Sequence, residues 1–286
     1  MNDNLVIQWF PGHMAKTRRL MSESIKQVDL VAEIRDARIP FSSSNPEIAK
    51  IVENKPRIVL LNKCDMADET TTLFWIEHLK EEGIPAIAVD AKSGKGLNLF
   101  NPLVETILKD KRERLKSKGL VNLSLKIMIV GIPNVGKSSF INRMSKGAKA
   151  KVEDRPGVTR GNQWYNIGNN IMMLDTPGVL WPKFDDESVA QNLAFTGAVK
   201  DQVIDVELLA VRLLEVLKTE YKEQLCERYK VTLNDCDLEA FELLELIGRK
   251  RGMLISGGEI NTERTSNMLL DEFRGLKIGR ISLERP

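Results

Sequence analysis

Cysteine is scarce in this chain, with three among 286 residues. Cys64, Cys226 and Cys236 are odd in number and show no CxxC spacing. That argues against a disulfide framework or a zinc site and fits a reducing, cytoplasmic setting. Long apolar runs are also missing. Stretches such as Ile127–Val130 are far too short to cross a bilayer, so no membrane partner is expected. The opening MNDNLVIQWF has no basic segment followed by a long apolar one, so no signal peptide is expected. The closing LERP is no prenylation box. There is no internal repeat and no low-complexity tract.

What remains is ordinary globular material: 42% hydrophobic and 29% charged residues, enough for a sizeable core. The formal charge of +2 is unevenly spread. Residues 185–286 carry 14 basic and 20 acidic side chains, which leaves 28 and 20 for residues 1–184. A basic front part suits a polyanionic partner, and a solvated lysine surface is the plainer reading.

Short apolar runs alternate with helical patterns up to about residue 180. Strands are expected at Asp29–Ile34, Arg57–Leu61, Ala86–Val89, Leu125–Val130, Gln163–Ile167 and Ile171–Leu174. Helices are expected at about Pro46–Glu53, Glu69–Glu82, Leu97–Ser117 and Lys137–Met144. This alternation predicts an α/β fold, a mostly parallel sheet with helices on both faces. The charged stretch Lys109–Gly119 reads as a helix end plus a linker. Beyond Asp185 the β signals stop, and Asp205–Leu217 and Leu238–Ile247 show helical spacing, with Gly248 placed as a C-cap. Two domains follow: 1–184, α/β with an N-terminal arm, and 185–286, smaller and all-α.

Residues 131–138, GIPNVGKS, match G-x-x-x-x-G-K-[ST] between an expected strand and an expected helix. Gly131 and Gly136 let the backbone wrap a phosphate, and the helix start adds partial positive charge. Asn134, Val135, Ser138 and Ser139 complete the loop. Lys137 is placed to reach the β- and γ-phosphates, and Ser138 to ligate Mg²⁺. DTPG at 175–178 follows the strand IMMLD. Asp175 would hold Mg²⁺ through a water, and the Gly178 N–H would sense the γ-phosphate. Thr159, in PGVTR, is the candidate second protein ligand of Mg²⁺.

NKCD at 62–65 follows the strand RIVLL. The Asp65 carboxylate can accept from both N1–H and the 2-amino group of guanine, whereas adenine offers an acceptor at N1. An unpaired buried carboxylate rejects the wrong base, which disfavours an ATPase. Asn62 would tie this loop to the phosphate loop, and the Lys63 stem would cover the base. DAKSGKG at 90–96 resembles the S-A-K element of GTPases, with Asp90 in place of Ser. It would put the Ala91 N–H on guanine O6, with Lys92 beside it.

All five elements of a GTP-hydrolysing domain are therefore present, but NKCD and DAK precede the other three. Such a permutation is tolerable because domain termini often lie close together. The chain also leaves the α/β domain a few residues after Gly178, so nucleotide state is expected to reposition the helical domain. Val179 stands where many GTPases carry a water-orienting glutamine. Two routes remain open. Asn134 is a candidate K⁺ ligand, and His13 in WFPGHMAK either orients water or contacts RNA.

The chain resembles the circularly permuted, YlqF-type ribosome-assembly GTPases. The likeness rests on WFPGHMAK, DLVAEIRDARIP, LNKCD, GIPNVGKSS, PGVTR, LDTPGVLWP and the closing GG…LLDEFRGLKIGR, and it covers essentially the whole chain. It implies binding of a late large (50S) ribosomal subunit precursor, with rRNA contacts from the arm and the helical domain and ribosomal proteins nearby. It also implies particle-stimulated GTP hydrolysis to GDP that triggers release, K⁺ dependence linked to Asn134, and a part for His13 in hydrolysis. Lys16, Arg18, Arg19 and the basic tail suit phosphate contacts. A monomer is expected. A signalling switch and a binding module that hardly hydrolyses GTP are the competing classes.

Overall fold

The computed structural model describes residues 19, 21–52, 55–120, 123–146, 163–176, 178, 180, 186–199 and 205–286. They form two compact units. The described residues from 19 to 180, together with Glu284–Pro286, make the first, and those from 186 to 283 make the second. Glu284 belongs to the first unit through specific bonds. It accepts from the N–H groups of Phe41 (2.7 Å) and Ser42 (3.0 Å), while its own carbonyl accepts from the Trp75 indole (3.2 Å).

The first unit is built on six strands: β1 (Leu30–Asp36), β2 (Arg57–Asn62), β3 (Ala86–Ala88), β4 (Leu125–Val130), β5 (Gln163–Asn166) and β6 (Ile171–Asp175). Their order is β3-β2-β1-β4-β6-β5, with only β5 antiparallel. The helices of this unit are α1 (Pro46–Val52), α2 (Glu69–Glu81), α3 (Phe100–Ile107), α4 (Lys109–Ser117) and α5 (Lys137–Met144). Every residue of β1 is buried, as expected of a central parallel strand covered on both faces. One sheet face carries two apolar clusters. Val31, Met128, Val130 and Leu174 pack with Ile48 and Val52 of α1, and Val59 and Leu61 pack with Trp75 and Leu79 of α2. Glu33, on that same face, is paired with Arg35 (3.0 Å) and Arg57, so the ions share one buried site.

Local sequence explains where the helices start. The Asp68 carboxylate caps α2 by accepting from the Thr71 N–H at 2.7 Å. Pro46 opens α1 behind Asn45, whose side-chain oxygen accepts from the Glu47 N–H at 2.9 Å. The helix expected over Leu97–Ser117 is interrupted. A short 3₁₀ turn at Leu97–Leu99 precedes α3, and Leu108 (φ −98°, ψ 15°) separates α3 from α4. Phe100 and Phe140 meet edge to face at 5.1 Å, which joins α3 to α5.

The described elements of the second unit are helical: α6 (Glu187–Phe195), α7 (Val206–Glu220), α8 (Lys222–Tyr229), α9 (Ala240–Lys250) and α10 (Thr262–Arg274), with a 3₁₀ turn at Asn234–Asp237. Leu209, Leu213, Leu214, Leu243, Leu244, Ile247, Leu269 and Leu270 form its apolar interior. The Asp205 and Asn261 side chains cap α7 and α10 by accepting from the Leu208 and Arg264 N–H groups.

Gly248 does not cap a helix as its sequence position suggested. It lies inside α9, where an added Cβ would come within 2.6 Å of Thr265 Oγ1 and 2.8 Å of Ile260 Cγ2. Close packing demands that glycine. The left-handed position that follows the helix is Gly252 (φ +68°), with open space around it. Gly248→Ala therefore destabilises the protein by about 1–3 kcal/mol through overpacking, despite the better helix former. Gly252→Ala costs about 1–2 kcal/mol through backbone strain alone. Urea unfolding of the full chain, followed by circular dichroism, checks both values.

Candidate nucleotide site

The motif loops follow the carboxyl ends of parallel strands: Asn62 ends β2, Ala88 ends β3, Val130 ends β4 and Asp175 ends β6. In open α/β sheets ligands bind at that edge, where the strand order reverses. Here the reversal lies between β1 and β4, since β2 and β3 extend one way and β6 and β5 the other.

The loop between β4 and α5 needs its glycines for definite reasons. A Cβ on Gly131 (φ +150°) would lie 2.5 Å from the Ile34 carbonyl oxygen. A Cβ on Gly136 (φ +99°) would strike the Asn62 carboxamide. Asn134 is left-handed (φ +60°), a conformation asparagine tolerates better than most residues. Lys137 opens α5 and is buried. Its Nζ donates to the carbonyls of Gly131 (3.1 Å) and Ile132 (2.8 Å). Burial lowers the ammonium to about 8, against the opposing charge of Asp175. The side chain is thus already turned back into the loop that would cradle a phosphate. Ser138 and Ser139 are exposed on the first turn of α5, and Val135 is buried.

Pro133, Asn134, Lys137, Ser138, Gln163, Asp175, Thr176 and Gly178 line a cleft of about 380 Å³. Burial raises the Asp175 carboxyl, against the pull of Lys137. The Thr176 hydroxyl donates to the Ile129 carbonyl at 2.6 Å, pinning the turn after β6 to β4. Gly178 is fixed by proximity, since a Cβ there would lie 2.7 Å from Lys137 Nζ and 3.0 Å from the Pro133 nitrogen. The Ser138 hydroxyl and the Asp175 carboxylate are hard oxygen donors, the kind Mg²⁺ takes alongside phosphate and water. Gln163 is a lining residue that the sequence did not single out. It enters the cleft because β5 runs antiparallel to β6 and sets Gln163 opposite Asp175. No local motif marks that pairing. His13, Thr159 and Val179 lie outside the described residues.

Asn62 joins three loops. Its Nδ2 donates to the Val135 carbonyl at 2.6 Å, and its Oδ1 accepts from the Ala91 N–H at 2.9 Å. The Ala91 N–H, expected on guanine O6, thus serves here as a tie between loops. Asp90 closes this loop by accepting from the N–H groups of Lys92 (2.8 Å) and Ser93 (3.1 Å), a job a serine in its place does less fully. The Lys92 side chain is exposed. Lys63 is left-handed (φ +61°), and its Nζ lies 2.9 Å from an Asp36 carboxylate oxygen. Asp65, two residues on, is half-buried. Asp36 and Arg38 did not stand out as site residues in the sequence. The available signal was an acid and a base at the end of the strand lying between the two motif-bearing strands.

Comparison with known proteins agrees with this arrangement. A family model described as "50S ribosome-binding GTPase" matches residues 126–241. "Ribosome biogenesis GTPase A" of Bacillus licheniformis is 48% identical over 282 residues, covering 99% of each chain. Its namesake from Thermotoga maritima is 31% identical over 98% of this chain and 95% of its own. Among solved structures, GNP-bound YlqF from T. maritima superposes with a TM-score of 0.65 at 29% identity, covering 95% of this chain and 98% of that one. The site loops and these full-length likenesses together establish that the chain belongs to the ribosome biogenesis GTPase A (YlqF/RbgA) family and is a GTP-hydrolysing enzyme of ribosome biogenesis.

Proposed function

We propose that this GTPase acts on a late precursor of the large (50S) ribosomal subunit, and that hydrolysis stimulated by the particle triggers its release. The observation that carries the nucleotide half of this reading is the Asn62 carboxamide, which holds the phosphate loop, the base loop and the Ala91 loop in one cluster. The name of the matching family model and the names of the relatives support the ribosomal half.

In this reading Lys137, Ser138, Ser139 and the backbone of Asn134–Gly136 hold the phosphates. Asn62, Lys63, Asp65, Ala91 and Lys92 surround guanine. Ser138, Asp175 and Thr159 would hold Mg²⁺, which would neutralise phosphate charge. Asn134 ligates K⁺, and Gly178 senses the γ-phosphate. His13 orients the attacking water, since Val179 has no polar group for that task. The arm and α/β domain comprise residues 1–184, with Glu284–Pro286 belonging to the α/β unit, and the helical domain, residues 185–283, contacts rRNA. Support for that contact is a cleft of about 690 Å³ in the helical unit, whose lining includes Arg228, Lys230, Lys250, Arg251 and Lys277. The protein works as a cytoplasmic monomer. No helix among the described residues is long and apolar enough to cross a membrane.

GTP turnover in K⁺ buffer rises roughly tenfold or more when purified large subunits are added, and falls when Na⁺ replaces K⁺. A rate unchanged by the subunits would remove the particle as activator.

Lys137 generates a pH signature. A bound phosphate favours the charged ammonium. Below pH 8 the free protein already carries that proton, and above it binding must take a proton up. GDP affinity is therefore flat near pH 7 and declines as pH rises past about 8. Calorimetry at pH 8.5 in two buffers of different ionisation enthalpy reads the proton uptake directly.

In the helical unit, Lys250→Glu with Arg251→Glu weakens binding to large subunits and lowers the salt slope by about 2. Sedimentation at several salt concentrations measures this, with the melting temperature of the variant as its folding control.

A further inference from the structure

Asp36 ends β1, the strand between β2, which leads into the base loop, and β4, which leads into the phosphate loop. It is 2% exposed and directly opposite Asn62 in the register. Its carboxylate is fully engaged. One oxygen accepts from the Arg38 N–H (3.1 Å) and Nε (2.9 Å), and the other lies 2.8 Å from Arg38 Nη2 and 2.9 Å from Lys63 Nζ. Burial alone would raise this carboxyl, but the Arg38 and Lys63 charges outweigh it and hold it well below the usual carboxylate range. Arg38, equally buried, completes the pairing. Asp36 thus ties Arg38 to Lys63, and Lys63 shares the N-K-x-D loop with Asp65, two residues on.

The frame around Asp36 is closely hydrogen-bonded. The Ala37 N–H donates to the Asn62 carbonyl at 2.8 Å, the Asp36 N–H donates to Ser43 Oγ at 3.0 Å, and the Ser43 hydroxyl donates to the Ile39 carbonyl at 2.6 Å. Glu284 closes the same turn at Phe41 and Ser42. Lys63 sits in a left-handed conformation that a lysine adopts only when its surroundings impose it. A buried ion pair is weak support for stability by itself, because desolvation offsets much of its attraction. Setting a direction is a task it does well.

We propose that Asp36, acting with Arg38, is a positioning residue for guanine recognition, fixing the Lys63 stem where it covers the base and holding Asp65 where it accepts from the base edge. The proposal rests on the reading of Asn62–Asp65 as the guanine loop. Asp36 touches no nucleotide in this scheme and acts through Lys63 and Asp65.

The test is a thermodynamic cycle on the full-length protein. Calorimetric titration gives the affinities for GDP and ADP in the wild type, Asp36→Asn, Lys63→Met, the double variant and Lys63→Arg. Either of the first two substitutions lowers GDP affinity about tenfold, and the double variant loses no more than one of them, because both break the same contact. ADP affinity, set by the phosphate loop, stays unchanged, so the preference for GDP falls by the same factor. Lys63→Arg keeps a cation for Asp36 and retains most of the preference. Should Asp36→Asn fail to fold with Arg38 left unpaired, Asp36→Asn with Arg38→Met removes both buried charges and is compared in its place. A folded variant lacking the carboxylate that keeps the wild-type preference, or losses that add in the double variant, would overturn the proposal. A wild type that binds ADP as tightly as GDP would instead overturn the guanine-loop reading beneath it.

Discussion

The Asn62 carboxamide uses both of its ends inside the protein, and the nucleotide site depends on that. Nδ2 reaches the Val135 carbonyl of the phosphate loop, and Oδ1 receives the Ala91 N–H from the loop after β3. A side chain with one donor end and one acceptor end can make this bridge, whereas a carboxylate of the same size could only accept. Gly136 is part of the same constraint, since any Cβ there would displace the carboxamide. Loops far apart in sequence are thereby held as one rigid cluster at the edge of the sheet.

This arrangement makes the order of motifs along the chain immaterial. What a nucleotide meets is the carboxyl edge of β3, β2, β1, β4 and β6, and that spatial order is fixed by strand pairing. Cutting and rejoining the chain elsewhere leaves the edge intact. Along the chain, the permutation moves the Gly178 turn close to the start of the helical region.

Charge inside the α/β unit is handled locally. Glu33 pairs with Arg35 and Arg57, and Asp36 with Arg38 and Lys63, so each of these two buried carboxylates is matched by two cations. Lys137 differs. It is buried against backbone carbonyls with Asp175 as its neighbouring opposite charge, and burial lowers its ammonium to about 8. The cation that should bind ligand is thus the less well compensated one, which suits a site that must exchange its occupant.

Much of this protein could be read from the amino-acid string. The β4–loop–α5 unit came out to the residue, because an apolar run bounded by glycine and followed by Gly-Lys-Ser leaves the backbone few choices. The other strands were placed within one or two residues by their apolar runs, and the helical character beyond Asp185 by its 3.6-residue spacing. What stayed hidden depends on partners distant in sequence. The need for glycine at 248 and the entry of Gln163 into the cleft each follow from a neighbour brought in by the fold. The Asp36–Arg38–Lys63 set is the clearest case. As a string it is an acid and a base after a strand, with a lysine 27 residues beyond Asp36. Sequence by itself determined which local chemistry was available, because turn, cap and phosphate-loop preferences act over a few residues. Which of those groups face one another was decided only by the tertiary structure, because parallel strand pairing, not chain order, sets the neighbours at the edge of the sheet.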